Sequence, residues 1–379
     1  MIDKQNILYC IHCAIIGDII GFGNGEIEFN FNTSNKIDNR YDIDKISAYS
    51  TRHVVDFISK GGYTGIDLSK YIASDDTILI LAIFDSMANV TNDTEISEVI
   101  EIIKDKMIEY ITNDKKRDLR YYGHRTLDSI NRIITGKKWD NYGFSERGGG
   151  CGASMRSMAI GIRYFEEKDL DKLIEVSIQS SRITHNNPIG YLGGFVSALF
   201  TSFAVKKHEP KTWIFKLIKI LKQDIIMDLI KNVITRSFPK DYDMHTENYL
   251  KYLQYCEKYI DIRFDEDKNF KGNEINIANK FFDIRSQFYF NHFGVQHQFA
   301  PGSNGFDSVI IAYDCLLDCN GSFETLLYYA ALHSGDSDST GCIAGAFYGA
   351  YYGEFDLPKN MFNIEFYEKA KEITKKFNI

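Results

Sequence analysis

The sequence predicts an all-α fold. Apolar residues recur at helical spacing along most of its 379 residues, strict two-residue alternation is nearly absent, and only five prolines interrupt the chain. Cys10 and Cys13 read as two small apolar residues on an N-terminal helix, because no second CxxC or His pair lies near enough to complete a metal site. Ile78, Leu79, Ala82, Ile83 and Met87 fall on one helical face. Residues 155–164 read as a helix behind a Gly-rich loop. Leu170, Leu173, Ile174 and Ile178 make another stripe, and Pro188 sits where a first-turn proline would open a helix reaching Phe200 and Val205. Asp307 precedes Ile310, Ile311, Tyr313, Leu316 and Leu317. Ile343, Ala344, Ala346, Phe347 and Tyr348 form a small-residue apolar helix, and Ile364, Tyr367, Ala370, Ile373 and Phe377 close the chain with an amphipathic one. About a dozen helices around one core are expected.

Three segments lack this period: 26–70 (polar, Asn/Asp-rich), 133–152 (Gly-rich) and 257–276 (highly charged). The first two lead into motif-bearing residues and are expected to border a site; the third reads as a solvated insertion. No linker or internal repeat divides the chain. A single domain over 1–379 is expected, with loop-rich insertions near 26–70 and 257–276.

Hydrophobic residues at 44% and charged residues at 25% exclude disorder and coiled coil. The net charge of −8 and the absence of a long basic stripe argue against nucleic-acid binding. Seven cysteines, odd in number and scattered, are not a disulfide framework. The first residues lack a basic n-region, and the longest apolar stretch, 189–205, is short and mixed for a membrane span. A cytoplasmic, monomeric protein without membrane attachment is expected.

Two acidic clusters carry the chemistry. Ser74, Asp75, Asp76 and Thr77 stand directly before a helix, where Ser and Asp also serve as ordinary caps. The run His333-Ser334-Gly335-Asp336-Ser337-Asp338-Ser339-Thr340-Gly341 leads into another helix. Burying these carboxylates unpaired is costly, and their hard oxygens suit Mg²⁺, Mn²⁺ or Ca²⁺. Four Asp are more than one such ion normally takes from protein and can hold a pair. The loop Gly148-Gly149-Gly150-Cys151-Gly152-Ala153-Ser154 suits a phosphate through its backbone N–H groups, though it is neither a Walker A loop nor GxGxxG. Gly123 with Thr126, and Gly302-Ser303-Asn304-Gly305, offer similar small-residue turns. His185, just before a helix, reads alone as a cap or a packed side chain.

Taken in order, these motifs form a pattern: Gly17-Asp18-Ile19-Ile20-Gly21, then 74–77, then Gly123 and Thr126, then 148–161, then Thr184, His185 and Pro188, then 311–314, then 333–341. The pattern resembles the ADP-ribosylglycohydrolase family, and within it the ADP-ribosylarginine hydrolase branch, from about residue 5 to beyond 355. The resemblance implies an all-α fold with two Mg²⁺ ions below an ADP-ribose cleft. It implies Ser74, Asp75, Asp76, Asp336, Asp338 and Ser339 as metal ligands, and Gly149, Gly150, Cys151, Gly152 and Ala153 as a phosphate cradle. His185, Gly302, Ser303 and Asn304, with Gly123 and Thr126, would line the cleft. Glu28 matches a mobile acidic residue that can approach the site. Phe306 stands where arginine-directed relatives are expected to carry His, and Arg147-Gly148 where relatives often carry an acidic residue.

The implied reaction is hydrolysis of the N-glycosidic bond between arginine and ribose on an ADP-ribosylated protein, releasing ADP-ribose. Asp75 or Asp76 would act as general base, and Glu28 in gating or proton delivery. The alternatives are hydrolysis of another ADP-ribosyl linkage (serine or O-acetyl-ADP-ribose) and a non-catalytic ADP-ribose-binding pseudoenzyme.

Overall fold

The computed structural model describes residues 2–29, 36–37, 40–41, 43–272, 283–293 and 300–378. Its helices are α1 (Lys4–Phe22), α2 (Ile43–Ser59), α3 (Gly62–Gly65), α4 (Asp75–Ala88), α5 (Ile96–Asn113), α6 (His124–Ile134), α7 (Met158–Arg163), α8 (Leu170–Arg182) and α9 (Pro188–Val205). There follow α10 (Trp213–Leu221), α11 (Asp224–Leu229), α12 (Tyr242–Arg263), α13 (Asp283–His292), α14 (Asp307–Asp318), α15 (Phe323–Ala330), α16 (Ser337–Tyr352) and α17 (Tyr367–Lys376). Among the described residues the only sheet is an antiparallel pair of two-residue strands, β1 (Lys36–Ile37) and β2 (Arg40–Tyr41). The fold is therefore all-α, as the periodicity indicates.

The centre is built from helices that are apolar on every side. α1, α9 and α16 are buried along nearly their whole length, which is the environment such sequences require. The stretches Lys4–Gly25 and Pro188–Val205 are long and apolar enough to cross a membrane by length and composition, yet 89% and 94% of those windows lie buried within the fold. Small residues set the spacing between α1 and α16. A Cβ at Gly345 would lie 2.1 Å from the Cys13 carbonyl oxygen, and one at Gly17 would lie 2.0 Å from the Gly341 oxygen. The two backbones touch, which aligns the N-terminus of α16 beside Asp18 of α1. Gly345→Ala is expected to cost about 3 kcal/mol, because two central helices cannot separate locally. A lower urea midpoint at unchanged slope would show it.

The aperiodic segments are partly helical, and 133–152 holds the end of α6 and a 3-10 turn over Glu146–Gly149. α2 and α3 lie inside 26–70. The face of α2 that is buried carries Ser50 and His53 beside Val54 and Phe57, so polar residues interrupt the apolar stripe. The Ser50 hydroxyl meets that of Ser334 at 2.8 Å, which makes the buried polar position tolerable. Residues 30–35, 38, 39 and 42 of that segment lie outside the described residues. The charged segment from 257 begins within α12, not in a solvated loop. Lys258 and Asp261 are exposed, but Tyr259 and Arg263 are buried. The Arg263 guanidinium donates to Asp314 and Asp318 of α14 at 2.6 Å each, with Arg285 of α13 completing the buried network. Residues 273–276 lie outside the described residues. Residues 155–164 are not one helix: a 3-10 turn over Cys151–Arg156 precedes the shorter α7.

Candidate active site

Ser74 is the N-cap of α4, and its hydroxyl accepts from the Asp76 amide at 3.1 Å. The cap alone does not hold this turn. Asp18 of α1 accepts from the amides of Ser74 (3.2 Å) and Thr77 (3.1 Å) and from the Thr77 hydroxyl. A second clamp comes from the far end of the chain. Glu365 accepts from the Ala73 amide at 3.0 Å and receives both terminal nitrogens of Arg120 at 2.9 Å. Arg120 also donates to the Ala73 oxygen and to Asp114, while its own carbonyl accepts from the Asp75 amide at 3.1 Å. The paired guanidinium and the Lys116 ammonium outweigh burial and hold the Glu365 carboxyl at about 2. With its caps tied on both sides, the turn directs Asp75 and Asp76 inward, both buried.

The second acidic stretch arrives at the same place. Asp336 caps α16, and Asp338 lies in its first turn, accepting from the Ser339 amide at 2.8 Å. The Asp336 and Asp338 carboxyls are within hydrogen-bonding reach of each other, and the Ser74 hydroxyl reaches Asp338. The Cys151 thiol donates to Asp336 at 3.2 Å, with the Ser339 hydroxyl 3.7 Å from the sulfur. Glu28 joins from the turn after α1, where the Phe29 amide is fixed to the Gly335 oxygen at 3.0 Å. One oxygen each of Glu28, Asp336 and Asp338 lies within 4.8 Å of the others.

Glu28, residues 74–76 and residues 336–339 thus meet at one buried point. Burial, and then the Asp338 charge, push the carboxyls of Glu28, Asp75, Asp76 and Asp336 well above the ordinary range. The same two causes raise Asp18 to about 7. Glu28 Oε2 and Asp76 Oδ2 are buried without a hydrogen-bond partner. A cluster of carboxylates with orphaned oxygens, and no lysine or arginine paired to it among the described residues, has the donor chemistry to hold a cation. Hard divalent ions fit it. The low-lying Cys151 thiol, pushed up by burial, stays protonated as a donor.

The glycine loops form one wall. Gly150 bridges Asn304, the Cys151 amide donates to the Ser303 oxygen at 3.1 Å, and the Gly305 amide donates to the Gly149 oxygen at 3.0 Å. The Cys151 amide is therefore used within the wall. Gly302, at φ 92°, lies against Asp336: a Cβ there would meet the Asp336 oxygen at 2.8 Å. The side chains of Ser303 and Asn304 turn to the scaffold. Ser303 donates to the Ala300 oxygen at 2.6 Å, and Asn304 accepts from the amides of Phe306 and Asp307 at 2.9 Å. The Gly123 amide donates to Asp75 at 3.4 Å, and Thr126 and His185 both border Gly152. Phe306 packs on Tyr252 and Tyr255 of α12, with ring centroids 5.3 and 5.2 Å apart. Its side chain is buried against that helix.

Sequence reading missed Asp18, Arg120 and Glu365 as groups that position the acidic turn. Asp18 had a signal, since one Asp stands in the otherwise apolar run 13–22.

The fold and this acidic, glycine-walled cleft define a glycohydrolase, and the chain belongs to the ADP-ribosylglycohydrolase family, whose model matches residues 2–377. Among known proteins it is similar to the ADP-ribosylhydrolase ARH1 of Dictyostelium discoideum, at 34% identity over 94% of this chain and 89% of that one. A putative ADP-ribosyl glycohydrolase of Acanthamoeba polyphaga mimivirus is 33% identical over 89% of this chain, which spans 62% of the viral protein. The human ADP-ribosylhydrolase ARH3 matches at 23% over 65% of this chain and 63% of its own. A solved structure titled ADP-ribosylglycohydrolase-related protein complex shares the fold, with a TM-score of 0.54 at 14% identity over 98% of this chain and 96% of that chain.

Proposed function

We propose that the protein removes ADP-ribose from arginine side chains of modified proteins, in a reaction that requires two Mg²⁺ ions. One observation carries the reading: Glu28, Asp76, Asp336 and Asp338 converge on one buried point with two orphaned oxygens. Ser74, Asp75, Asp76, Asp336, Asp338 and Ser339 would hold the ions. Bound there, divalent ions supply a clamp for vicinal hydroxyls and a lowered pKa for water.

The remaining work falls to the chain. The loop at 149–153 and the backbone at 302–304 orient the diphosphate, so that remote binding energy fixes the ribose over the acidic cluster. Asp75 or Asp76 orients and deprotonates the water that attacks C1″. The bond between C1″ and the guanidino nitrogen breaks, that nitrogen takes up a proton, and free arginine and ADP-ribose result. Glu28, whose carboxyl burial and the neighbouring carboxylates push above the ordinary range, would deliver that proton. The surface around its turn favours a planar cation. Phe29 is 40% exposed and Tyr121 is 62% exposed, and the Tyr121 ring packs against Gly25 of the same turn. The seven cysteines are free thiols, which supports a cytoplasmic setting.

A panel of defined linkages tests the reading: peptides carrying ADP-ribose on arginine or serine, and O-acetyl-ADP-ribose, each with Mg²⁺ or with chelator. Release from the arginine peptide should exceed the others by at least about a hundredfold and vanish with chelator. Equal or faster release from serine would reassign the linkage, and tight ADP-ribose binding without release would make the protein a reader.

A further inference from the structure

Arg156 is fully buried beneath the glycine loop and makes no ion pair among the described residues. Its guanidinium instead donates to the Gly152 oxygen, to the Ser180 oxygen at 3.3 Å, and to the Thr184 hydroxyl at 2.9 Å. That hydroxyl lies 2.6 Å from His185 Nδ1. Arginine has donors only, so Thr184 Oγ1 accepts from it. The single hydroxyl proton of Thr184 has one acceptor in reach among the described residues, which is His185 Nδ1. An Nδ1 that accepts leaves the proton of the imidazole on Nε2.

Nε2 in turn has no partner among the described residues and borders the glycine loop. A Cβ at Gly152 would stand 3.2 Å from Nε2 and 3.2 Å from Thr126 Oγ1, and one at Gly150 would stand 3.4 Å from Nε2. Two polar atoms therefore converge on the space that the missing side chains leave open.

We propose that Arg156 and Thr184 are positioning residues that hold His185 as the neutral Nε2–H tautomer, so that the ring presents one fixed donor to a diphosphate oxygen beside Gly150 and Gly152. The ligand part rests on the ADP-ribose reading; the tautomer does not. Burial and the Arg156 charge hold the imidazole neutral, well below its ordinary pKa. Arg156 also places an unneutralised positive charge under the loop, where it favours an anion without touching it.

The test uses protein labelled with ¹⁵N-histidine, with His185 assigned through its loss in His185→Asn. Long-range ¹⁵N–¹H correlations of the free wild type should show the Nε2–H pattern, unchanged from about pH 6 to 8. Thr184→Val should lose that single pattern and bind ADP-ribose about tenfold more weakly, and Thr184→Ser should restore both. An Nδ1–H pattern or an imidazolium in the wild type would overturn the proposal, as would Thr184→Val with unchanged affinity. If Thr184→Val does not fold, the wild-type spectrum decides alone. An Nε2–H spectrum in a protein that takes up no ADP-ribose would sink the substrate reading and uphold the tautomer assignment.

Discussion

Asp338→Ala is expected to lower ADP-ribose release by at least about a thousandfold. Among the clustered acids, Asp338 holds a central place. Its charge is the leading electrostatic influence on Asp18, Glu28, Asp75, Asp76 and Asp336 alike. A group that every other carboxylate senses is the one a shared cation must also meet. The same geometry fixes the sign of the stability effect. Without metal, Asp338 repels five neighbours, so its removal should leave the metal-free protein at least as stable as wild type. With Mg²⁺, wild type should gain stability and the variant should not. Activity lost while metal-free stability holds separates a ligand from a mere packing group. Turnover above about a tenth of wild type would remove Asp338 from the metal set.

The parts of the fold that sequence reveals are those where one residue has one physical reason to be there. Pro188 opens α9 with Asn187 as its cap, because a proline lacks only the amide that the first turn leaves unpaired. Ser74 opens α4 for a related reason, its hydroxyl accepting from the Asp76 amide. α2 was illegible because Ser50 and His53 occupy its buried face, and the partner that accommodates Ser50, Ser334, lies 284 residues away. Met155 and Arg156 read as the start of a helix, yet they close a 3-10 turn over Cys151–Arg156, in which Gly152 and Ser154 give little helical preference and the Cys151 amide is drawn off to Ser303. In the site, the acidic residues were visible as types at spacing. What holds them was not. Glu365 is 292 residues from the Ala73 amide it accepts from, and no local pattern can announce such a pair. Phe306, which stands where arginine-directed relatives are expected to carry His, packs its ring on Tyr252 and Tyr255 of α12, a contact across some fifty residues that sequence does not announce.

Mg²⁺ should stabilise the protein far more at pH 8 than at pH 5. Asp18 makes the sign explicit. Its folded-state value of about 7 exceeds the ordinary 3.8, so the metal-free folded state binds more protons than the unfolded chain between those limits. Stability from this group is present below pH 3.8 and is lost as pH rises through 7. Glu28, Asp75, Asp76 and Asp336 are shifted in the same direction and add to the loss. A divalent cation compensates the carboxylates only once they are ionised, and it competes with protons below that range. The melting temperature with saturating Mg²⁺ should therefore rise by on the order of 5 °C at pH 8 and by about 1 °C or less at pH 5. Ca²⁺ or Mn²⁺ should raise it as well, since the donors are hard oxygens. A shift of equal size at both pH values would mean that the ion binds elsewhere, on groups already ionised at pH 5. The buried cluster would then need protons, not metal, to balance its charge, and the proposed hydrolysis would lose the ions that grip the ribose.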